Sequence, residues 1–213
     1  MSRVSLLAAA AMLLLGGCAA IGGPKTEVKV YAPATSIKAD PAWPTADWSL
    51  AVGVQAANDM LDSARIAVRP TPDRFQAYKG AAWADNAPDL LQTALVEGFE
   101  DSGKIAAVSR FGSGNRGDFG LVLEVRAFET VYVGDRPEAV IETQASLYRL
   151  RGGRGVVASK RFRQAVPGAA TDLDSMVSAF GQAMSTVSTD IIGWTLVEGD
   201  RAVKAAAEES AGK

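Results

Sequence analysis

Few residues in this chain could carry out chemistry, and the missing ones decide as much as those present. The 213 residues include one cysteine, Cys18, and no histidine. Without histidine the chain lacks the commonest general base, the usual zinc ligand and a necessary member of any Ser-His-Asp or Cys-His constellation. Paired carboxylates or a Ser-Lys pair would still permit hydrolysis, but no spacing singles such a pair out. No catalytic residue, metal ligand or cofactor-binding residue is therefore expected. Gly112-Ser113-Gly114-Asn115-Arg116-Gly117 spells GxGxxG, which holds a pyrophosphate only where it opens a helix. The alternation of Phe119, Leu121, Leu123 and Val125 predicts a strand after it instead. The motif reads as a glycine-rich loop, and Ser113 has no histidine to activate it.

Cys18 stands apart because of what precedes it. Arg3 supplies one positive charge, and residues 4–15 form an apolar run of twelve, too short to remain as a transmembrane helix. Gly16 and Gly17 then bring small residues up to the thiol. Leu15-Gly16-Gly17-Cys18 resembles the bacterial lipobox, in which a diacylglyceryl group is attached to the thiol before the peptide bond on its amino side is cut. Residues 1–17 are expected to be a lipoprotein signal peptide, with Cys18 as lipidation site and first residue of the mature chain. Several acyl chains, each contributing about 0.8 kcal/mol per buried methylene, make such an anchor effectively permanent. Ala19, where the best-known bacterial sorting rule puts Asp for inner-membrane retention, favours the outer membrane.

Removal of residues 1–17 leaves 196 residues with 21 basic and 24 acidic side chains, a formal charge of −3. That length suits one domain, and the charge gives no general affinity for nucleic acid. With Cys18 acylated there is no thiol for a disulfide, so the fold must rest on its core.

The elements follow from periodicity. Residues 18–24 are small and read as a flexible tether. Residues 25–31 alternate and read as a first strand, and 48–54 as a second, with Pro33, Pro41 and Pro44 breaking the chain between them. Pro41-Ala42-Trp43-Pro44 is either a docking segment or a flap over the core edge. A strand ending at Pro70, a turn and a second short strand lead to Trp83, just ahead of a helix over 87–101. Asn86 should cap that helix, Pro88 and Asp89 suit its first turn, and Ser102-Gly103 should stop it. Strands follow at 105–108, 119–130, 139–150 and 156–166, the last three forming an antiparallel run. Parallel pairing on either side of the first helix is plausible on the strand-helix-strand order. Thr171 or Asp172 should cap a second helix whose Leu173, Met176, Val177, Phe180, Met184, Val187 and Ile191 recur at steps of three and four, a stripe to cover the sheet. After Gly199 the tail lacks large apolar residues, and 199–213 reads as disordered. The expectation is a single α/β domain over 25–198: a mixed, largely antiparallel sheet of about six or seven strands with two main helices.

The stretch Leu61-Asp62, Arg65-Ile66-Ala67-Val68-Arg69, Gly80-Ala81, Trp83-Ala84-Asp85, Ala87-Pro88 and the helix ending at Ser102-Gly103 resembles the ABC-type transport auxiliary lipoprotein family. These are the PqiC-like lipoproteins that accompany MCE-type lipid transporters. The resemblance covers residues 28 to 195. Ala82 and Ala64 stand where Arg and Asp are expected, so no family role carries over to those two positions. The resemblance implies a lipid-anchored periplasmic accessory, not an enzyme, of an MCE-type ABC system moving phospholipids or other apolar molecules between membranes. Its partners would be the MCE-domain protein and the ABC permease and ATPase, with the membrane reached through the anchor and phospholipid as a further ligand. The alternatives are a structural lipoprotein of an outer-membrane assembly or secretion complex, and a periplasmic hydrolase.

Partner contacts draw on arginine and aromatic residues. Between Glu142 and Asp172 the sequence has no acid but six bases, Arg149, Arg151, Arg154, Lys160, Arg161 and Arg163. They form either an exposed edge kept soluble by charge or a contact for an acidic partner or anionic head groups. Arg65 and Arg69 are either the wet side of a strand or part of the same surface. Trp83 is either a core plug or a ligand contact. For the anchor, mass spectrometry of the mature amino terminus should find acylated Cys18, and Cys18→Ser should release the protein from membranes. An unmodified terminus elsewhere would overturn the assignment.

Overall fold

A computed structural model describes residues 27–114, 117–151 and 155–212. The expected signal peptide, Cys18 and the whole of the tether lie outside these residues. The strands are β1 (Lys29–Tyr31), β2 (Ala46–Ala56), β3 (Arg65–Thr71) and β4 (Arg74–Trp83), then β5 (Ile105–Arg110), β6 (Phe119–Val133), β7 (Arg136–Arg149) and β8 (Gly155–Pro167). Helix α1 (Ala87–Ser102) lies between β4 and β5, and α2 (Leu173–Ala211) closes the chain. This is the expected single mixed α/β domain with two helices. Its sheet has eight strands, since both short segments, 29–31 and 105–110, pair.

The sheet is organised by β6. One of its edges carries β7 antiparallel from Phe119↔Arg149 to Val133↔Arg136, and β8 continues antiparallel beyond. The other edge is divided: β2 runs parallel to residues 119–125, and β3 runs parallel to residues 129–131. The register of β6 shifts between Val125 and Ala127, where one neighbour gives way to the next. A bulge of this kind bends a strand and re-aims it. Beyond β2 lies β5, parallel; beyond β3 lie β4, antiparallel, and β1, parallel to β4. The strands on either side of α1, β4 and β5, are therefore not neighbours but sit in the two separate branches. β1 meets β4 only at residues 81–83, just past Gly80, whose φ of +67° turns β4 out of regular extension.

Both helices begin and end as their sequences dictate. The Asn86 side chain accepts from Asp89 N at 2.9 Å, and Gly103, with φ +60°, donates its N–H back to Glu100 O. Asp172 is the cap of α2, accepting from Ser175 N at 2.9 Å. The apolar faces meet the sheet in one core, where Leu91, Leu95, Phe99, Leu121, Leu123, Val125, Ile141, Phe180, Val187 and Ile191 are fully buried. At its centre Trp83 packs edge-on against Phe128 and Phe180, with ring centroids at 5.7 and 5.1 Å, while Phe128 stacks on Phe180 at 5.0 Å.

The tail is a correction. α2 continues to Ala211, so residues 199–211 are helical, not disordered, and the domain does not end at 198. Alanine has the highest helix propensity, and extending a formed helix avoids the unfavourable nucleation step. Lys204 adds an ion pair to Asp200 at 2.8 Å, and Ala202 and Val203 still touch the core edge.

The chain from Tyr31 to Trp48 lies along α2 in the same direction. The Tyr31 hydroxyl donates to Asp174, and Ser36 N donates to Ser185 Oγ at 2.9 Å. Three helix glycines admit the rest: a Cβ on Gly181 would stand 2.4 Å from the Ala34 carbonyl oxygen, on Gly193 2.6 Å from Trp43 Nε1, and on Gly199 2.3 Å from the Trp48 ring. Each such glycine disfavours the helix by about 1 kcal/mol relative to alanine, offset by these close approaches. The segment holding Trp43 is thus a flap on α2.

Phe180→Ala should destabilise the fold by about 3–5 kcal/mol, as for a fully buried phenylalanine. Gly181→Ala should do so by about 1–3 kcal/mol through overpacking against backbone. Urea midpoints at constant slope measure both.

Candidate functional site

The basic residues do not form one surface. Arg149 turns towards the helices: its Nη2 donates to the Ala202 carbonyl of α2, and its guanidinium lies 5.5 Å from the Phe119 ring. Lys160 also lies on that side, its ammonium 4.8 Å from the Phe162 ring, and Phe162 in turn meets Trp194 of α2 at 5.6 Å. Arg151 is 3.6 Å from Asp118. Arg154 lies outside the described residues. Only Arg161 and Arg163 stand together, two residues apart on the face of β8 opposite Phe162.

Both arginines of that pair reach Glu142, which lies directly across from Arg163 on β7. Arg161 Nε donates to Glu142 Oε1 at 3.0 Å, with Nη2 to the same oxygen, and Arg163 Nε is 3.6 Å from Oε2. The carboxylate side chain is 14% exposed, while Arg161 and Arg163 remain 59% and 54% exposed. Two positive charges thus share one negative charge at a sheet edge. The sequence marks the six bases but not this partner, which lies 19 residues earlier in the chain for Arg161.

Trp83 is corrected as a partner-surface residue, while Arg69 is engaged within the domain. Arg69 donates through Nε and Nη2 to the two oxygens of Glu129, at 2.8 and 3.0 Å, and lies 4.6 Å above the Phe75 ring. Glu129 is 8% exposed at its side chain, so Arg69 is held by the need to neutralise a buried carboxylate. The Glu129 contact holds the Arg69 guanidinium pKa above its usual value. Trp83 is 2% exposed, and its indole N–H has no acceptor among the described residues; it serves by filling volume. Arg65 is exposed at the start of β3, in the other branch of the sheet from β8.

Asp118, not singled out by the sequence, ties three strands together. Its carboxylate accepts from Ser49 N at 2.9 Å and Ser49 Oγ at 2.7 Å, and its carbonyl accepts from Leu150 N at 2.8 Å. The Ser49 hydrogen bonds hold this carboxyl below the usual carboxylate range, with Arg151 adding to the effect. The glycine-rich loop just before it opens a strand and no helix. Gly112 and Gly114 have φ near +85° and +88°, and the Ser113 hydroxyl donates to the Arg110 carbonyl at 2.8 Å. Asn115 and Arg116 lie outside the described residues. Among the described residues no group of three or more histidine, cysteine, aspartate or glutamate side chains could hold a metal ion, and no helix is long and apolar enough to cross a membrane.

The class this defines is a helix-backed mixed sheet with an arginine pair on its β8 edge. The chain belongs to the ABC-type transport auxiliary lipoprotein component family, which matches residues 30–192. A crystal structure of a DUF330-family protein from Xanthomonas campestris is 43% identical, covers 83% of this chain and 99% of that one, and superposes with a TM-score of 0.77. A second solved structure, of an uncharacterized protein, is 18% identical with a TM-score of 0.56 over 78% of this chain and 97% of that one, and shares the fold. An uncharacterized protein of Bradyrhizobium diazoefficiens is 27% identical over 176 residues, which is 83% of this chain. The chain spans about half, 47%, of that curated relative.

Arg69→Ala should destabilise the protein by about 2–4 kcal/mol, between an exposed and a fully buried pair, because it strands Glu129. Pairing it with Glu129→Gln should recover part of the loss in urea unfolding. A neutral Arg69→Ala would return Arg69 to the list of free surface arginines.

Proposed function

We propose that the chain is the lipid-anchored periplasmic accessory component of an MCE-type ABC transport system that moves phospholipids or other apolar molecules between membranes. The observation that carries this reading is the family match over 163 residues, nearly all of the described domain. Leu15-Gly16-Gly17-Cys18 supplies the anchor, and a covalent lipid on Cys18 is the one attached group the reading needs. Ala19 directs it to the outer membrane. The part played by the domain is binding, not turnover: histidine is absent from the whole sequence, and the serine inside GxGxxG is engaged with a loop carbonyl. The partners are the MCE-domain protein with its permease and ATPase, reached across the periplasm from the anchored end.

A tagged full-length chain expressed at native level and solubilised from its own membranes should bring down permease, ATPase and MCE-domain protein together. Density separation should place it with the outer membrane, and Cys18→Ser should abolish both results. Recovery of an outer-membrane assembly or secretion complex in place of these three would overturn the proposal.

A further inference from the structure

We infer that β8 is the docking edge for an acidic, extended segment of a protein partner, which adds to the sheet as a ninth strand. The inference rests on the accessory reading above, since a protein that acts through a partner needs a surface for it. Among the described residues β8 pairs with β7 alone, which leaves its other edge without a neighbouring strand along the thirteen residues of Gly155–Pro167. Backbone N–H and C=O groups on such an edge point outward without partners and are a template for another strand.

The two sides of that edge differ in chemistry. On the helix-free side, Ser159, Arg161 and Arg163 occupy alternate positions, and the two arginines keep one positive charge more than Glu142 can balance. On the helix side α2 lines the edge, and a groove of ≈ 510 Å³ lined by Trp43, Lys160, Asp190, Trp194 and Val197 opens there. Val197 is 41% exposed. An added strand places successive side chains on opposite faces. Carboxylates two residues apart would reach Arg161 and Arg163, and the apolar residues between them would meet Trp194 and Val197.

Charge selects the occupant. A second copy presenting its own β8 would bring arginines against arginines, and like charges across neighbouring strands are destabilising. An acidic segment gains charge-assisted, bidentate hydrogen bonds instead. The same residues that guard the edge against self-pairing therefore make it selective for an oppositely charged strand, with main-chain bonds supplying affinity and side chains specificity.

Fluorescence anisotropy with the detergent-solubilised full mature protein tests this using labelled ten-residue peptides. One alternates Glu and Val, one has the same composition scrambled, and two are the alternating peptide N-methylated at either all Glu or all Val amides. The alternating peptide should bind at least tenfold more tightly than the scrambled one, and one of the two N-methylated forms should lose binding. R161E/R163E should weaken binding at least tenfold, with a lowered thermal midpoint because Glu142 loses both partners; R161Q/R163Q/E142Q, which removes all three charges together, should weaken binding in the same direction, both variants being compared at a temperature where they are folded. Equal binding of the scrambled peptide, full binding of both N-methylated forms, or indifference to the substitutions would overturn the inference. So would flotation on phosphatidylglycerol vesicles that R161E/R163E abolishes without any peptide binding, which would make the pair a lipid contact. Self-association that shields β8 amides from hydrogen exchange would overturn it as well. If R161E/R163E still brings down the transporter subunits, the docking edge fails and the accessory role stands; if wild type brings down none, the accessory role fails whatever the peptides show.

Discussion

The pairing of β6 on both edges is the constraint from which the rest of the structure follows. β7 takes one edge along the full length of β6, and the other is shared between β2 and β3. Among the described residues both branches of the sheet pair with the antiparallel run through β6. Its inward residues Phe119, Leu121, Leu123, Val125 and Phe128 are all at most 2% exposed, so the strand that joins the sheet also contributes heavily to the core. Such a centre depends on contacts distant in sequence, Leu50 with Phe119 and Ala67 with Glu129. Non-local pairings of this kind form late and slowly compared with local ones.

Charge in this domain is used first for construction. Arg69 neutralises Glu129 beside the point where β3 joins β6, Asp118 fixes the start of β6 to β2, and Arg149 holds the far part of α2 against the end of β7. Once these are assigned, the basic stretch that looks continuous in the sequence separates into side chains facing different elements. Among the described bases of that stretch, Arg161 and Arg163 are the two that stand side by side at the sheet edge, beside a helix that carries a tryptophan.

The features legible in the sequence are those that depend on near neighbours. Asn86, Pro88 and Asp89 announce the start of α1 and Gly103 its end, Asp172 the start of α2, and the alternation of 119–125 and 139–147 gives both strand and buried face. For Trp83 at the corner before α1 the sequence leaves core plug and ligand contact both open, and its burial decides for the plug. Residues whose role is set by a distant partner could not be read: Glu142 beneath Arg161, Glu129 beside Arg69, and Asp118 under Ser49. The division of the β6 edge leaves no local trace except a break in alternation near Ala127. The tail misleads because large apolar residues signal a packed helix, whereas alanine and spaced opposite charges can prolong one already formed. Gly181, Gly193 and Gly199 did carry a signal, since glycine inside an otherwise apolar helical stripe asks for a close approach.

The collinear course of residues 31–48 beside α2 has a mechanical consequence. Tension entering from the amino-terminal side meets the three residues of β1, then Tyr31 on Asp174, Ala34 in the Gly181 notch, Ser36 on Ser185 and Trp43 in the Gly193 notch. Because these attachments lie in series along the helix, they yield one after another and not together. Peeling residues 29–45 would release roughly 55–60 Å of extended chain while β2 stays clamped between β5 and β6. The domain is thus built with an extensible lead at its amino-terminal side, able to lengthen under load while the sheet itself keeps its shape.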